Sequence, residues 1–294
     1  VARRRTSSTP PVRQREGQAR SRARDRIAAQ ATERRRRELR RRLLIAVGSV
    51  TAVLAAAGAL VAVKLTSGPP TAGGESPAPA GVVRQATTVP AAALARASAG
   101  QAATALEPAR GSRPLLTVGG KPAIAFVSEE SCPFCAAERW ALVVALSRFG
   151  TWTDLGATTS SATDVYPRTA TFSFRTAGYH SAQLTLRTTE LADNAGRRLQ
   201  PLTALDARLI RAYDVPPYVN SADQSGAVPF LDIANRYVLA GAQYDPQVLA
   251  GLSAAQIAGQ LRNPASPVAR AIDGSARVII AAVRSVLHDT PDRS

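Results

Sequence analysis

Ser131-Cys132-Pro133-Phe134-Cys135 holds the only two cysteines among 294 residues, three positions apart. A short apolar run, Ala123-Ile124-Ala125-Phe126-Val127, precedes it. Ala136-Ala137-Glu138-Arg139-Trp140-Ala141-Leu142-Val143-Val144-Ala145-Leu146 follows, with the length and composition of a buried helix. The order reads strand, loop, helix. A C-x-x-C at the opening of a helix sets the first sulfur near unpaired backbone N–H groups, whose partial positive charge favours thiolate over thiol. The second sulfur lies one turn on, within disulfide reach.

Outward from that stretch, residues 115–118 read as an edge strand, Gly119-Gly120 as a turn and residues 122–127 as a central strand. Past the helix, which Gly150 is expected to stop, residues 152–159 have a strand's β-branched content and are expected to run parallel to the central one. Residues 170–174 and 182–188 alternate, suggesting further strands joined by a turn around Ala177-Gly178. Residues 202–213 read as a helix with Leu202, Leu205, Leu209 and Ile210 on one face. Val228-Pro229 then opens a hairpin over 226–233 and 236–241. A proline opening an apolar strand has no N–H for the ladder, so it starts the strand or marks a cis peptide. Residues 253–261, with Gln256 at the third position of a capping box, and residues 268–287 supply the closing helices.

Charge divides the chain unevenly. Residues 1–42 contain 16 of the 37 basic residues and four of the 21 acids, a net of +12, which leaves +4 for the other 252. This tail has almost no large apolar residues and cannot bury a core, so it is expected to be disordered or partly helical. Residues 43–63 carry no charge over 21 positions, or roughly 31 Å as a helix, the thickness of a hydrocarbon core. Arg40-Arg41-Arg42 abut one end and a lone Lys64 the other. The positive-inside rule therefore predicts a single-pass protein of the cell membrane, N-terminus cytoplasmic and the rest extracytoplasmic. A cleaved signal peptide is the alternative, although its apolar region is ordinarily ~7–15 residues behind a short basic segment. Residues 64–84, rich in Pro, Gly, Ser and Ala, read as a flexible linker, residues 85–287 as the folded domain and residues 288–294 as a C-terminal tail.

Several classes lack their parts. Two cysteines make no disulfide framework, and a zinc site would have to recruit His180 and His288, the only histidines, without ligand spacing. No nucleophile elbow, Gly-rich phosphate loop or H-E-x-x-H occurs, so hydrolase and nucleotide readings fail. Neither a metal nor another cofactor is expected.

Strand, C-P-F-C, helix, parallel strand, then a distant Val-Pro strand, hairpin and terminal helix resembles the thioredoxin-like superfamily. The runs CPFCAAERWALVVALSRFG, the segment from Tyr166-Pro167 to Phe174, and VPFLDIANRYVLAGAQYDP are similar to those of an uncharacterised family of membrane-anchored bacterial and archaeal proteins, known only as a domain of unknown function. The resemblance covers about residues 85–287. It implies an α/β, thioredoxin-like fold with an insertion between the C-x-x-C helix and the cis-proline strand, preceded by one transmembrane helix. In thioredoxin-like proteins the matching proline is cis and packs against the disulfide, and the backbone of the residue before it pairs with substrate. Carried over, these are Pro229 and Val228. The 93 residues between Cys135 and Pro229 exceed what a minimal thioredoxin needs, so an insertion is expected between Tyr166 and about Gln224.

The implied chemistry is thiol-disulfide exchange outside the cytoplasm, with Cys132 attacking and Cys135 resolving. Pro133 and Phe134 resemble glutaredoxin and oxidoreductase dipeptides more than the Gly-Pro of thioredoxin. Glu138 is a candidate proton relay for Cys135, or else a solvated carboxylate or an ion-pair partner of Arg139 or Arg148. Glu129 and Glu130 would raise the Cys132 pKa if close. Expected partners are membrane lipid around residues 43–63, extracytoplasmic thiol or disulfide proteins, and a membrane redox partner to recharge the pair; nucleic acid is not expected. The alternative is a non-catalytic binding or scaffolding domain with a structural disulfide, though so short a loop removes little chain entropy.

Overall fold

The strand that precedes the cysteines, Lys121–Ser128, is buried at every residue after the first, so it is nearly continuously apolar instead of alternating. Ile124 and Phe126 enter one core, Ala125 and Val127 another. The computed structural model describes residues 76–97, 106–220 and 225–289. The expected basic tail, the span at 43–63, the first part of the linker and most of the C-terminal tail lie outside the described residues. Among the described residues no helix is long and apolar enough to cross a membrane.

In chain order the strands are β1 Ser76–Pro77, β2 Glu107–Pro108, β3 Thr117–Val118, β4 Lys121–Ser128, β5 Thr151–Thr153, β6 Gly156–Thr159, β7 Ala170–Ser173, β8 Gly178–His180, β9 Thr185–Glu190, β10 Phe230–Ile233 and β11 Tyr237–Ala240. The helices are α1 Ala80–Thr87, α2 Ala91–Arg96, α3 Pro133–Leu146, α4 Ala204–Tyr213, α5 Ala254–Gln260 and α6 Pro267–His288. A mixed six-stranded sheet runs β2-β11-β10-β4, with β9 and the short β3 also pairing β4. β10 is antiparallel to β4, and β9 is parallel to it from Ala123↔Thr185 to Ser128↔Glu190. Gly119 and Gly120, at φ 59° and 77°, make the two-residue β3-β4 turn, a conformation that glycine adopts without steric cost.

The helix that carries the cysteines is buried at every position except Phe134. A helix apolar all round needs cover on all sides. α6 lies against one flank, and Ile124 and Phe126 of β4 share its core. The three-stranded sheet β1-β6-β7 provides the rest: Trp140 packs on Phe172 with ring centroids 4.5 Å apart and donates through Nε1 to Ala170 O at 2.9 Å. Thr171 Oγ1 donates to Ala136 O. On the opposite face of the main sheet α4 buries Leu209 and Tyr213 against Ala125, Val127, Phe230 and Val238. An α/β domain of mixed sheets with the C-x-x-C at the start of α3 is consistent with a thioredoxin-like arrangement.

Three expectations change. The parallel partner of the central strand is β9, not residues 152–159: Asp154, at φ 52°, breaks that run into β5 and β6, which pair antiparallel with β8 and β7. The added material therefore lies between α3 and β9, before most of the 166–224 span, where it covers the outer side of α3. Gly178 opens a strand instead of turning the chain, and a Cβ there would sit 2.4 Å from Thr153 Oγ1, which would have to move aside for any larger residue. The compact part also starts before residue 85. β1 pairs β6, and α1 buries Val82 and Ala86 in the main core, inside the stretch whose composition reads as a linker. Pro79 sits at the N-cap of α1, where a missing N–H costs nothing, and alanine favours the helix.

The other elements follow their sequence signals. Gln256 closes a capping box with Ser253, and α6 begins at Pro267 behind the N-cap Ser266. α4 has a capping box of its own, Thr203 with Asp206, whose carboxylate also accepts from Thr189 Oγ1 of β9. Leu209 of its expected apolar face is buried, Leu205 and Ile210 pack against the same core, and Leu202 stays 41% exposed. Because Trp140 joins α3 to the added sheet, Trp140→Ala is expected to lower unfolding free energy by about 3–5 kcal/mol, measured as a reduced urea midpoint with unchanged slope.

Candidate functional site

Cys132 is the N-cap of α3, with Pro133 in the first turn. Proline fits there because its missing N–H has no helical partner in any case. The cap places the sulfur on the free end of the helix: Cys132 Sγ accepts from Cys135 N at 3.3 Å. Its thiol points across the sheet end to Val228 O, 3.7 Å away. The Val228-Pro229 peptide is cis, and Pro229 O accepts from Gly241 N at 2.8 Å, which ties the loop to the end of β11. Cys135 is fully buried and accepts from Glu129 N at 3.4 Å, while Cys132 is partly exposed; both are free thiols.

The two sulfurs are driven apart chemically. The hydrogen bond from the Cys135 thiol lowers the Cys132 pKa; burial opposes it, and the N–H groups of Cys135 and Phe134 and the charge of Arg139 reinforce it. Burial first, then the hydrogen bond to Cys132 and its negative charge, push Cys135 well above the ordinary thiol value. The partly exposed sulfur is thus the readier of the two to ionise. The opposition expected from the preceding acids does not prevail. Glu130 is buried with its carboxylate taken by Ser173 Oγ at 2.6 Å and Thr158 Oγ1 at 3.4 Å, and Glu129 accepts from Ser131 Oγ.

Glu138 is fully buried one turn beyond Cys135. One oxygen accepts from Gln243 N at 3.1 Å; among the described residues the other has no hydrogen-bond partner. Burial raises its pKa to about 7. It is neither a solvated carboxylate nor paired with an arginine: Arg148 donates to Val89 O, and Arg139 is held by Glu190. That second pairing was not legible beforehand. Arg139 Nε and Nη2 meet the two Glu190 oxygens at 2.9 and 2.6 Å, both side chains wholly buried. An arginine inside an otherwise apolar helix signals a buried counter-ion, but nothing local identifies which acid supplies it.

Phe134, 39% exposed, meets Tyr166 edge-to-face at 6.2 Å. The 160–169 loop that carries Tyr166 is stapled to the cysteine loop by Ser161 N donating to Ser131 O at 2.8 Å. The structure thus brings Cys132, Cys135, Phe134 and Val228-Pro229 together, with Glu138 directed to Gln243. His180 lies on β8 and is exposed, at the rim of a cavity of about 380 Å3 that also involves Lys121 and Tyr179 and contains no residue of the dithiol site.

Residues 112–285 match the family model described as Domain of unknown function (DUF929). The chain belongs to that family. The matched span runs from just before β3 almost to the end of α6, so it contains the cysteine pair and the cis proline but not α1 and α2. No curated protein and no solved structure matches the chain.

Two measurements test this geometry. At neutral pH iodoacetamide is expected to label Cys132 and spare Cys135, as read by mass spectrometry of the reduced protein. For Glu138 the sign follows from linkage: with its folded value raised to about 7, the native state holds a proton that the unfolded chain loses above its ordinary value of 4.5. Stability is then full below the unfolded value and lost as pH rises towards and through the folded one. Relative to Glu138→Gln, the native protein is expected to lose roughly 3 kcal/mol between acidic and weakly alkaline pH, measured by urea unfolding along a pH series.

Proposed function

We propose that the chain is a membrane-anchored, extracytoplasmic thiol-disulfide oxidoreductase, built on a thioredoxin-like fold whose insertion lies between the C-P-F-C helix and the parallel strand. The observation that carries this reading is the approach of the partly exposed, acidified Cys132 thiol to Val228 O beside the cis Pro229, with the buried Cys135 one turn behind. A structural disulfide needs neither an open face nor two thiols of opposite character. Residues 43–63 are the proposed anchor and the basic residues before them the proposed cytoplasmic side.

In the reaction proposed, the Cys132 thiolate attacks a disulfide of an extracytoplasmic polypeptide. A Cys132–substrate S–S bond forms, and the displaced substrate sulfur leaves as a thiolate that takes a proton from water. Cys135 then loses its proton and attacks the Cys132 sulfur, closing the Cys132–Cys135 disulfide and releasing the second substrate sulfur. Two electrons pass to the substrate. Run backwards, the same steps oxidise a substrate dithiol. Glu138, buried one turn past Cys135 and poised near neutrality, is the proposed acceptor of the Cys135 proton. Val228 offers the backbone against which an extended substrate segment lies.

Cys135→Ser removes the resolving sulfur. Expressed in the native envelope, it is expected to accumulate reductant-sensitive adducts with envelope proteins, and Cys132→Ser is expected to abolish them. If Cys135→Ser yields no adduct under alkylating quench, the exchange reading falls and the binding-domain reading with a structural disulfide takes its place.

A further inference from the structure

Among the described residues Arg139 is the one wholly buried cation, and it lies beneath the cysteine loop with the charges of Glu190 and Glu130 beside it. Its guanidinium is clasped by Glu190 at the end of β9 and reaches Ser128 Oγ, at the end of β4, through Nη2 at 3.4 Å. The next residue, Glu129, donates its N–H to Cys135 Sγ. Arg139 itself follows Cys135 by one helical turn, so the loop that holds the buried sulfur and the helix that presents it both converge on this guanidinium. Nη1 has no hydrogen-bond partner among the described residues. Glu190 is in turn fixed by its backbone, whose N–H donates to Gln200 Oε1 at 2.7 Å.

A buried bidentate pair is a costly device for stability alone, since apolar residues of similar volume often do as well. We propose that the Arg139–Glu190 pair sets the reduction potential of the Cys132–Cys135 couple, with Arg139 as a positioning residue whose fixed charge favours the reduced, thiolate-bearing form and Glu190 as the counter-charge that limits it. The proposal rests on the exchange reading above. The charge of Arg139 lowers both cysteines. The remaining groups facing the pair are the Glu130 carboxylate, held by Ser173 and Thr158, Glu129 with Ser131, the N–H groups at the start of α3, Val228 O, and Glu138 on the far side of Cys135. None of them is a second cation. Arginine does not deprotonate in the accessible range, so its contribution does not switch off with pH.

The two halves of the pair predict opposite signs, which a purely structural role does not. The full-length protein is equilibrated with glutathione and glutathione disulfide, and the fraction of Cys132–Cys135 disulfide is read by alkylation and mass spectrometry. Glu190→Gln keeps the shape of the pair and removes the nearest counter-charge of the guanidinium, leaving Glu130; it is expected to shift the equilibrium several-fold toward the dithiol. Arg139→Met with Glu190→Leu removes both charges and leaves neither unpaired; it is expected to shift the equilibrium about tenfold toward the disulfide, or about 30 mV for this two-electron couple. The ultraviolet thiolate absorbance of Cys132 should titrate at lower pH in the first variant and at higher pH in the second. Shifts of the same sign in both, or neither variant moving beyond twofold, overturn the proposal while leaving the exchange reading intact. Should the double variant not fold, the direction in Glu190→Gln decides alone, with no shift or a shift toward the disulfide counting against it. A native protein that forms no Cys132–Cys135 disulfide at any glutathione ratio overturns the exchange reading and this inference with it.

Discussion

The rest of the structure depends on the burial of α3. A helix with thirteen of its fourteen residues out of solvent leaves only its N-terminal end for chemistry. Its unpaired N–H groups gather there, and the N-cap is a cysteine instead of the usual serine, threonine or aspartate. The cap bond from Cys135 N to Cys132 Sγ serves folding and reactivity together: it satisfies an orphan donor and stabilises negative charge on the sulfur. Burial acts oppositely on Cys135, which the same helix carries into the core. One helix thus creates two unlike thiols three residues apart.

Burying α3 completely required a surface that the main sheet does not offer. The core that α3 shares with α6 and the main sheet covers part of it, and the antiparallel strands between α3 and β9 add cover through Phe172, Ala170 and Thr171. The same segment then reaches the open end of the helix. Ser161 holds Ser131, and Tyr166 stands against Phe134, so the added sheet supports the core and also shapes one wall beside Cys132. Val228-Pro229 forms another wall from the far end of the chain.

The features legible in the sequence were those whose physics is local. The C-x-x-C at a helix start, the glycine pair between β3 and β4, the proline opening β10 and the Ser253–Gln256 capping box each depend on a few neighbouring residues. Strand partnership was not legible. The β-branched content of residues 152–159 announces a strand without specifying its neighbour, and the parallel place beside β4 belongs to β9, which no local rule distinguishes from them. The counter-ion of Arg139 lies 51 residues away and was hidden for the same reason. Pro79 misled in the other direction: in a Pro/Ala-rich stretch it looks like a linker residue, yet it sits where proline starts a helix.

Buried charge is handled in two distinct ways, and the difference bears on the dithiol. Four carboxyls, Glu138, Asp214, Asp232 and Asp273, are buried with at least one oxygen unpartnered among the described residues, and burial raises each to about 7. These groups avoid the cost of a buried charge by keeping their protons. Arg139 has no such route, because a guanidinium cannot shed its proton, and it is met instead by the Glu190 carboxyl group in bidentate geometry. On α3 the two devices stand side by side, Arg139 in its pair with Glu190 and Glu138 raised to about 7 by burial. In the mechanism proposed, the Arg139–Glu190 pair sets the potential of the couple and Glu138 takes the Cys135 proton, so redox poise and proton transfer rest on adjacent residues of one helix.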